Sequence, residues 1–288
     1  MDIRTPRLNR LLDSWLDEDI GRGDLTSIAL KQYGSAYWHA KQQGVFCGGI
    51  VAERIFHRLD SSINVNLLIE EGEHFQTGQR LLEVKGSVSS LASAERTALN
   101  LAMRLSGIAT DTSILVKQLT GTNIRLADTR KTTPGLREFE KYAFHCGGGT
   151  NHRLGLDDAA MLKENHIAWA GSITKAVQVI KGSNPWPLRI IVEAETNEQA
   201  EEAVIAGADG ILLDEIPPAV LCKLVPKLRA LASQRKGHES SNHIVLEASG
   251  VNPMDLQAFA ETGIDLISTS APMTRSNWCD FSMRFDAI

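Results

Sequence analysis

Long apolar runs, clustered cysteines and an excess of charge of either sign are all missing from this chain of 288 residues. No stretch of about 18 uninterrupted apolar residues occurs, so no transmembrane helix is expected. Residues 1–10 lack an apolar core ahead of a cleavage site, so no signal peptide is expected. The four cysteines, Cys47, Cys146, Cys222 and Cys279, are widely spaced and form no C-x-x-C pair. That spacing argues against structural zinc and against a disulfide framework. Each cysteine reads as a small buried hydrophobe, and the compartment reads as reduced and cytoplasmic. Lys and Arg total 30 against 35 Asp and Glu, a formal net charge of -5. Neither nucleic acid nor a membrane surface is therefore expected as a partner. A local cationic pocket for a small anion remains compatible with that balance.

What is present is an ordinary globular composition, 43% apolar and 23% charged, enough to bury a core without staples. The chain opens with a predicted helix, with Thr5 as cap, Pro6 at the first helical position and Leu8, Leu11, Leu12, Trp15 and Leu16 on one face. Gly21 and Gly23 end it. From Ser35 to Gly86 the pattern reads as short strands and glycine turns, including 67–69 and 81–84. A second helix is predicted over 89–105. This first part has the look of a small α+β domain.

After Gly107 the rhythm becomes strand and helix in alternation. Predicted strands are 124–130, 160–167, 188–196, 210–216, 243–250 and 264–270. Predicted helices include a stripe of Ile173, Ala176, Val177 and Ile180, then 197–206, 219–231 with Pro226 as a candidate kink, and 252–262 capped by Asn252. Residues 237–242 read as a surface loop. Such alternation predicts a parallel sheet with crossover helices.

Each predicted strand is apolar early and polar at its C-terminal end, a costly pattern in buried strands unless the polar groups are used. That layout fits the mouth of a (β/α) barrel, and an open doubly wound sheet would gather polar groups similarly. Six strands rather than eight point to a small or irregular barrel. The converging cations are Arg130, Lys131, Arg153 and Lys163, with His152 beside them. The anions are Glu193, Glu195, Asp214 and Glu247. Guanidinium–anion hydrogen bonds of this kind are worth roughly 1.5–3 kcal/mol apiece, so several could hold a small polyanion. Two carboxylates beside phosphates fit Mg²⁺. Ser249-Gly250 leading into a helix fits a phosphate. The residues alone thus point to a transferase with a phosphorylated donor and an anionic acceptor. Each also has a plainer reading: a solvated loop for Arg130-Lys131, a flexible turn for Gly147-Gly148-Gly149, surface ion pairs for Glu193 and Asp214, a Schiff-base lysine for Lys163.

The run Asp128-Thr129-Arg130-Lys131-Thr132-Thr133-Pro134-Gly135-Leu136-Arg137 closely resembles the quinolinate phosphoribosyltransferase family. So do Glu95 to Asn100, Arg104 to Thr110, Gly147 to Arg153, Lys163 to Ile167, Val192 to Glu195 and Glu247 to Gly250. The resemblance implies an incomplete (β/α) barrel with an N-terminal α+β sandwich domain, divided as 1–107, 108–271 and a returning segment 272–288. It implies transfer from phosphoribosyl pyrophosphate to quinolinate with loss of carbon dioxide, Mg²⁺ as cofactor, and a homodimer with shared active sites that could assemble further. Residue by residue, it implies that Arg130, His152 and Arg153 grip quinolinate, with Arg96 reaching in from the other subunit. Thr129 would line the substrate site, and Lys131 and Lys163 would hold phosphates and a substrate carboxylate. Glu193 and Asp214 would bind Mg²⁺ and the ribose hydroxyls, with Lys131, Glu193 and Asp214 at the chemistry. Ser249, Gly250, Ser268, Thr269 and Ser270 would hold the 5′-phosphate.

Three departures from the family pattern stand out. Val251 replaces a frequent glycine, Ser270 and Pro272-Met273-Thr274-Arg275 replace a differently shaped turn, and Glu215 stands where asparagine is frequent. Arg275 is a candidate to compensate at the 5′-phosphate. The rival readings are a molybdenum-associated paralogue of the same fold, a lipoyl-type carrier modified at Lys85, and an aldolase-type barrel using Lys163.

Overall fold

The computed structural model describes residues 5–29, 32–235 and 243–286. The predicted loop 237–242 lies outside the described residues. The chain divides into two compact units. One comprises the chain to Ile114, Thr132–Gly148 and the segment from Pro272 onward; the other comprises Leu115–Lys131 and Gly149–Ala271.

In chain order the elements are α1 (Pro6–Ile20), β1 (Tyr33–Ala40), β2 (Gly44–Val45), α2 (Gly49–Leu59), β3 (Asn64–Leu67), β4 (His74–Phe75), β5 (Arg80–Ser87) and α3 (Val88–Gln118). Next come β6 (Arg125–Ala127), α4 (Arg137–Cys146), β7 (Ala160–Leu162), α5 (Glu164–Ala170), α6 (Ile173–Ser183), β8 (Ile190–Ala194) and α7 (Asn197–Ala206). The last are β9 (Gly210–Asp214), α8 (Pro218–Ser233), β10 (Val245–Ser249), β11 (Leu266–Ser268), α9 (Ala271–Arg275) and β12 (Phe281–Phe285).

The first unit holds an antiparallel sheet in the order β12-β1-β5-β3 and a two-stranded pair, β2-β4. α1 begins as its sequence dictates: the Thr5 hydroxyl accepts from the Leu8 N–H at 3.3 Å, and Leu8, Leu12 and Leu16 are buried. The strand-only reading of residues 35–86 is corrected by α2, which buries Val51, Ala52, Ile55 and Phe56 at helical spacing. Its first-turn N–H groups are met by a distant carboxylate, Glu71, and not by a local cap. The second predicted helix also runs further than 105, as the 31-residue α3. Gly107 does not stop it. A Cβ there would lie 2.0 Å from the Asn277 carbonyl oxygen, so the glycine admits the returning C-terminal strand segment.

The second unit is a six-stranded parallel sheet in the order β6-β11-β10-β9-β8-β7. All six predicted strands are present, each shorter than its polar-ended sequence suggested. Residues 164–167, predicted as strand, open α5, because Lys163 leaves the ladder and its N–H donates to His166 Nδ1 at 3.0 Å. The predicted helix 252–262 is only a single 3-10 turn, Leu256–Phe259. Asn252 is spent locally, accepting from Met254 N and donating to Asp255. Leu256 and Phe259, three apart, are both buried, as the three-residue period of that turn requires. The helix-terminus argument for a phosphate at Ser249-Gly250 therefore loses its helix.

Candidate active site

Parallel register decides which side chains share a face. Glu193 pairs with Leu212, Glu247 pairs with Leu212 and Leu266, Asp214 pairs with Ser249, and Ser268 pairs with Ala127. Because side chains alternate, Glu193, Leu212, Glu247 and Leu266 form one row on one face. Asp214, Ser249, Ser268 and Ala127 form the next row toward the C-terminal ends. Lys163, one step past β7, falls beside Glu193, and its ammonium ion-pairs with the Glu193 carboxylate. The opposite face is Val192, Ala194, Ile211, Leu213, Leu246, Ala248 and Ile267, all buried. One face is core and the other is chemistry.

At the β6 edge the chain continues this rim. Asp128, fully buried, accepts from Asn151 Nδ2 at 2.7 Å and from His152 N at 2.8 Å. Its own N–H donates to the Thr150 carbonyl, and Thr150 bridges to Ala127. A single carboxylate thus docks the segment carrying Asn151, His152 and Arg153 against the end of β6. His152 Nδ1 accepts from the Arg153 N–H at 2.7 Å, which assigns its proton to Nε2, 3.1 Å from Glu247 Oε2. Glu247 Oε1 is buried with no hydrogen-bond partner. Arg153 Nη1 donates to the Ala159 carbonyl at 2.9 Å. Burial, and then the like charge of Arg130, push the Arg153 guanidinium below its ordinary value, while Asp158 opposes the shift. Two guanidiniums that disfavour one another in this way favour an anion between them.

Thr129 and Lys131 form a local turn in which Lys131 N donates to Thr129 Oγ1 at 3.0 Å. Thr269 N donates to the Ala127 carbonyl at 2.9 Å, and Ala271 N donates to Thr269 Oγ1 at 3.1 Å, so Ser270 sits at the tip of a fixed turn. Gly250 has φ +71, and a Cβ there would lie 2.6 Å from Glu215 Cγ. Glu215 itself has φ +54, the left-handed region that asparagine tolerates better than glutamate.

The second unit therefore brings together Thr129, Arg130, Lys131, His152, Arg153, Lys163, Glu193, Asp214, Ser249, Gly250, Ser268, Thr269 and Ser270 at one set of strand ends. Arg96 and Arg275 belong to the first unit, both exposed, Arg96 on α3 in a pocket with Trp15, Glu18, Asp19 and Trp278. Sequence reasoning gave Asp128 and Asn151 no role. A carboxylate that follows directly on a buried strand was the available signal. It also missed Glu140, fully buried on α4, which accepts from Arg104 Nη2 (2.8 Å), Thr133 Oγ1 (2.8 Å) and Thr133 N (2.9 Å) and so anchors the Thr132-Thr133-Pro134 turn.

Glu193 and Asp214 offer hard oxygen donors on adjacent strands of one face, one row apart. Among the described residues no third His, Cys, Asp or Glu ligand atom closes on them. A pair of this kind fits Mg²⁺, which leaves its other positions to phosphates and water.

Two family models match this geometry's chain: the quinolinate phosphoribosyl transferase N-terminal domain over residues 24–106 and its C-terminal domain over residues 108–284. A probable carboxylating nicotinate-nucleotide pyrophosphorylase of Synechocystis is 45% identical over 95% of this chain and 90% of its own length. Its counterpart in Bacillus subtilis is 41% identical over 91% and 88%. The solved structure of NadC from Streptococcus pyogenes superposes with a TM-score of 0.90 at 34% identity, covering 99% of this chain and 98% of that one.

Proposed function

The chain belongs to the quinolinate phosphoribosyltransferase family, and we propose that it joins quinolinate to phosphoribosyl pyrophosphate, giving nicotinate mononucleotide, pyrophosphate and carbon dioxide in NAD biosynthesis. The observation that carries this reading is the gathering of Arg130, Lys131, His152, Arg153 and Lys163 at the strand ends of one sheet, on the face that holds Glu193 and, one row further on, Asp214 and Ser249. A doubly carboxylated pyridine relieves the repulsion between Arg130 and Arg153. Nicotinate, with one carboxylate fewer, leaves part of that repulsion in place.

The pyridine nitrogen attacks the ribose anomeric carbon as the bond to pyrophosphate breaks, its electron pair leaving with the pyrophosphate. Positive charge that builds on the ribose is stabilised by Glu193 and Asp214, and negative charge on the leaving group by Lys131 and Lys163. The ion pair with Glu193 aims the Lys163 side chain. Glu193 and Asp214 would hold Mg²⁺, which when bound neutralises pyrophosphate charge. The ring nitrogen, now cationic, stabilises the electron pair left at the adjacent carbon as carbon dioxide departs, and that carbon then takes a proton. His152 has both ring nitrogens facing protein partners, so a substrate carboxylate contact there replaces Glu247 at Nε2. The turn at Thr269-Ser270 and the Ser249-Gly250 end of β10 supply the 5′-phosphate contacts.

We assign the protein to the cytoplasm and to a homodimer in which Arg96 of one subunit completes the other's site. Support comes from four cysteines without a disulfide and from an exposed Arg96 whose unit holds none of the strand-end residues. No helix among the described residues is long and apolar enough to cross a membrane. The rivals fare poorly. The molybdenum-associated reading finds no support among the relatives. Lys85 lies within β5, with Ser35 and Asn64 paired on either side, and no turn displays it for carrier modification. Lys163 is engaged by the Glu193 carboxylate, and the relatives lend a Schiff-base role no support.

The test is a direct assay. Purified protein, phosphoribosyl pyrophosphate and Mg²⁺ should release carbon dioxide from quinolinate and form nicotinate mononucleotide, with nicotinate a poor acceptor. Equal turnover of both acids would refute the paired-cation reading.

A further inference from the structure

Away from the strand ends, in the first unit, the fold brings together three side chains that the sequence keeps far apart. Cys47, Glu71 and Cys146 each place a ligand atom within 4.8 Å of the other two. The wide cysteine spacing argued against a zinc site, and the fold reverses that argument for two of the four. Each of the three positions is fixed by backbone. Cys47 is clamped by Ser106, whose hydroxyl accepts from Cys47 N and donates to Cys47 O, both at 2.9 Å. Cys146 is the last residue of α4. Glu71 lies in a turn whose next residue, Gly72 (φ +86), donates to the Phe46 carbonyl at 2.8 Å and sits against the Cys146 carbonyl oxygen.

The lone pairs of Glu71 can be counted. Oε1 accepts from Gly48 N (3.2 Å) and Ile50 N (3.0 Å), and Oε2 accepts from Gly48 N at 2.8 Å. A carboxylate offers about four acceptor sites, and the fourth, on Oε2, accepts from the Cys146 thiol at 4.0 Å, so an ion that displaces that thiol proton finds a lone pair already aimed at Sγ. A tetrahedral ion with Zn–S of about 2.3 Å and Zn–O of about 2.0 Å would set that separation at roughly 3.5 Å, within a small side-chain adjustment. A second observation points the same way. Glu71 also lines a surface cavity in which Glu70 and Glu73 stand beside the apolar Ile50 and Leu67 to Ile69, so the carboxylate end of the cluster faces an entry that carries two further acids.

We propose that Cys47, Cys146 and Glu71 form a binding site for one thiophilic dication, Zn²⁺ by preference, separate in composition from the Glu193–Asp214 pair. Two thiolates and a carboxylate supply three tetrahedral positions and water the fourth. Binding releases two thiol protons to solvent and leaves one net negative charge on the ligand set. Two soft sulfurs select this class of ion against Mg²⁺. The ion would pin the C-terminus of α4 to the β2–α2 connection, five residues ahead of Asn151 in the chain.

The experiment uses the full chain, reduced with a phosphine and freed of metal by chelation, and titrates it with Co²⁺ followed by Zn²⁺. One equivalent of Co²⁺ should give a thiolate-to-metal charge-transfer band that Zn²⁺ abolishes, with about two protons released per ion as both thiols ionise. Cys146→Ala, at a half-buried position, and Glu71→Gln should weaken binding at least tenfold. Cys222→Ala, an exposed cysteine outside the cluster, should leave it unchanged. Absence of the band in the reduced wild-type chain, or its persistence in Cys146→Ala, overturns the proposal. So does its loss in Cys222→Ala. Circular dichroism of each variant before titration separates loss of the site from loss of the fold.

Discussion

Replacing Asp128 by asparagine tests how the rim is assembled. The native carboxylate accepts from Asn151 Nδ2 at 2.7 Å and from His152 N at 2.8 Å. Hydrogen bonds to a charged group are worth about 1.5–3 kcal/mol each, and a buried donor left without a partner costs about 1–3 kcal/mol. Asparagine keeps one acceptor oxygen and turns an NH₂ toward the other donor, so one bond is weakened and one is lost. The expected loss of unfolding free energy is roughly 2–4 kcal/mol. The same segment positions His152 and Arg153, so kcat/KM for quinolinate should fall about 30- to 1000-fold if a similar energy is withdrawn from the transition state. Urea unfolding and steady-state kinetics on the same preparations measure the two effects. A cycle with Asn151→Ala adds a stricter criterion: Asn151→Ala removes the Asn151–Asp128 bond and Asp128→Asn weakens or removes it, so the double variant should lose less than the two singles combined. Full activity in Asp128→Asn with stability within about 0.5 kcal/mol of the parent, or strict additivity in the cycle, would refute this account.

Glu140→Gln leaves the partly buried Arg104 guanidinium without its counter-charge and should cost about 2–4 kcal/mol of stability in urea unfolding; a loss below about 1 kcal/mol would show that the pair is inert. Glu215→Asn should raise the melting temperature, since relief of a left-handed backbone at φ +54 is worth up to about 1 kcal/mol, whereas Gly250→Ala should lower it because its Cβ meets Glu215. Asp24, accepting from Thr26 N, Ser27 N and Ser93 Oγ, should titrate at about 2, below its ordinary 3.8, when followed by carboxylate NMR. Because its folded value lies below the unfolded one, its stabilisation is present above 3.8 and is lost as the pH falls through about 2; a midpoint at the ordinary value would contradict those hydrogen bonds. Mixing Arg96→Ala with Arg153→Ala subunits should restore activity if one site draws on two chains, and verified mixed dimers without activity would place the site within one subunit.

The parts of the fold that were legible are those with a local cause. Thr5 and Pro6 start α1, and Thr196 and Gly207 bound α7, because capping chemistry is written in adjacent residues. The parts that were not legible depend on partners far along the chain. α2 has no cap of its own and is met by Glu71, so its start gave no signal. Gly107 reads as a helix breaker by propensity, at about 1 kcal/mol against alanine, yet it is there to admit the Asn277 carbonyl. The same reasoning explains why two cysteines separated by ninety-nine positions could not be paired from spacing alone: position 47 follows a strand and position 146 ends a helix, and only packing brings them together.

The candidate site was legible through polarity at the strand ends: Glu193, Asp214 and Ser249 fall at or next to the ends of β8, β9 and β10 after apolar starts. Which face each occupies was not legible, because β9 is buried through Leu213 and shows no alternation of its own, and only the register sorts the rows. Strand-end polarity gives the rim. It cannot give the second layer, because Asp128 and Glu140 act through hydrogen bonds to Asn151, His152 and Thr133 and carry no periodicity of their own. Both are fully buried carboxylates, Asp128 bonded to the Asn151–His152 segment and Glu140 to the Thr133 turn and Arg104. A buried charge of that sort is costly unless its partners are supplied. Of the acids whose roles the sequence left blank, Asp128 therefore docks the segment that bears His152 and Arg153, and Glu140 fixes the turn at Thr133.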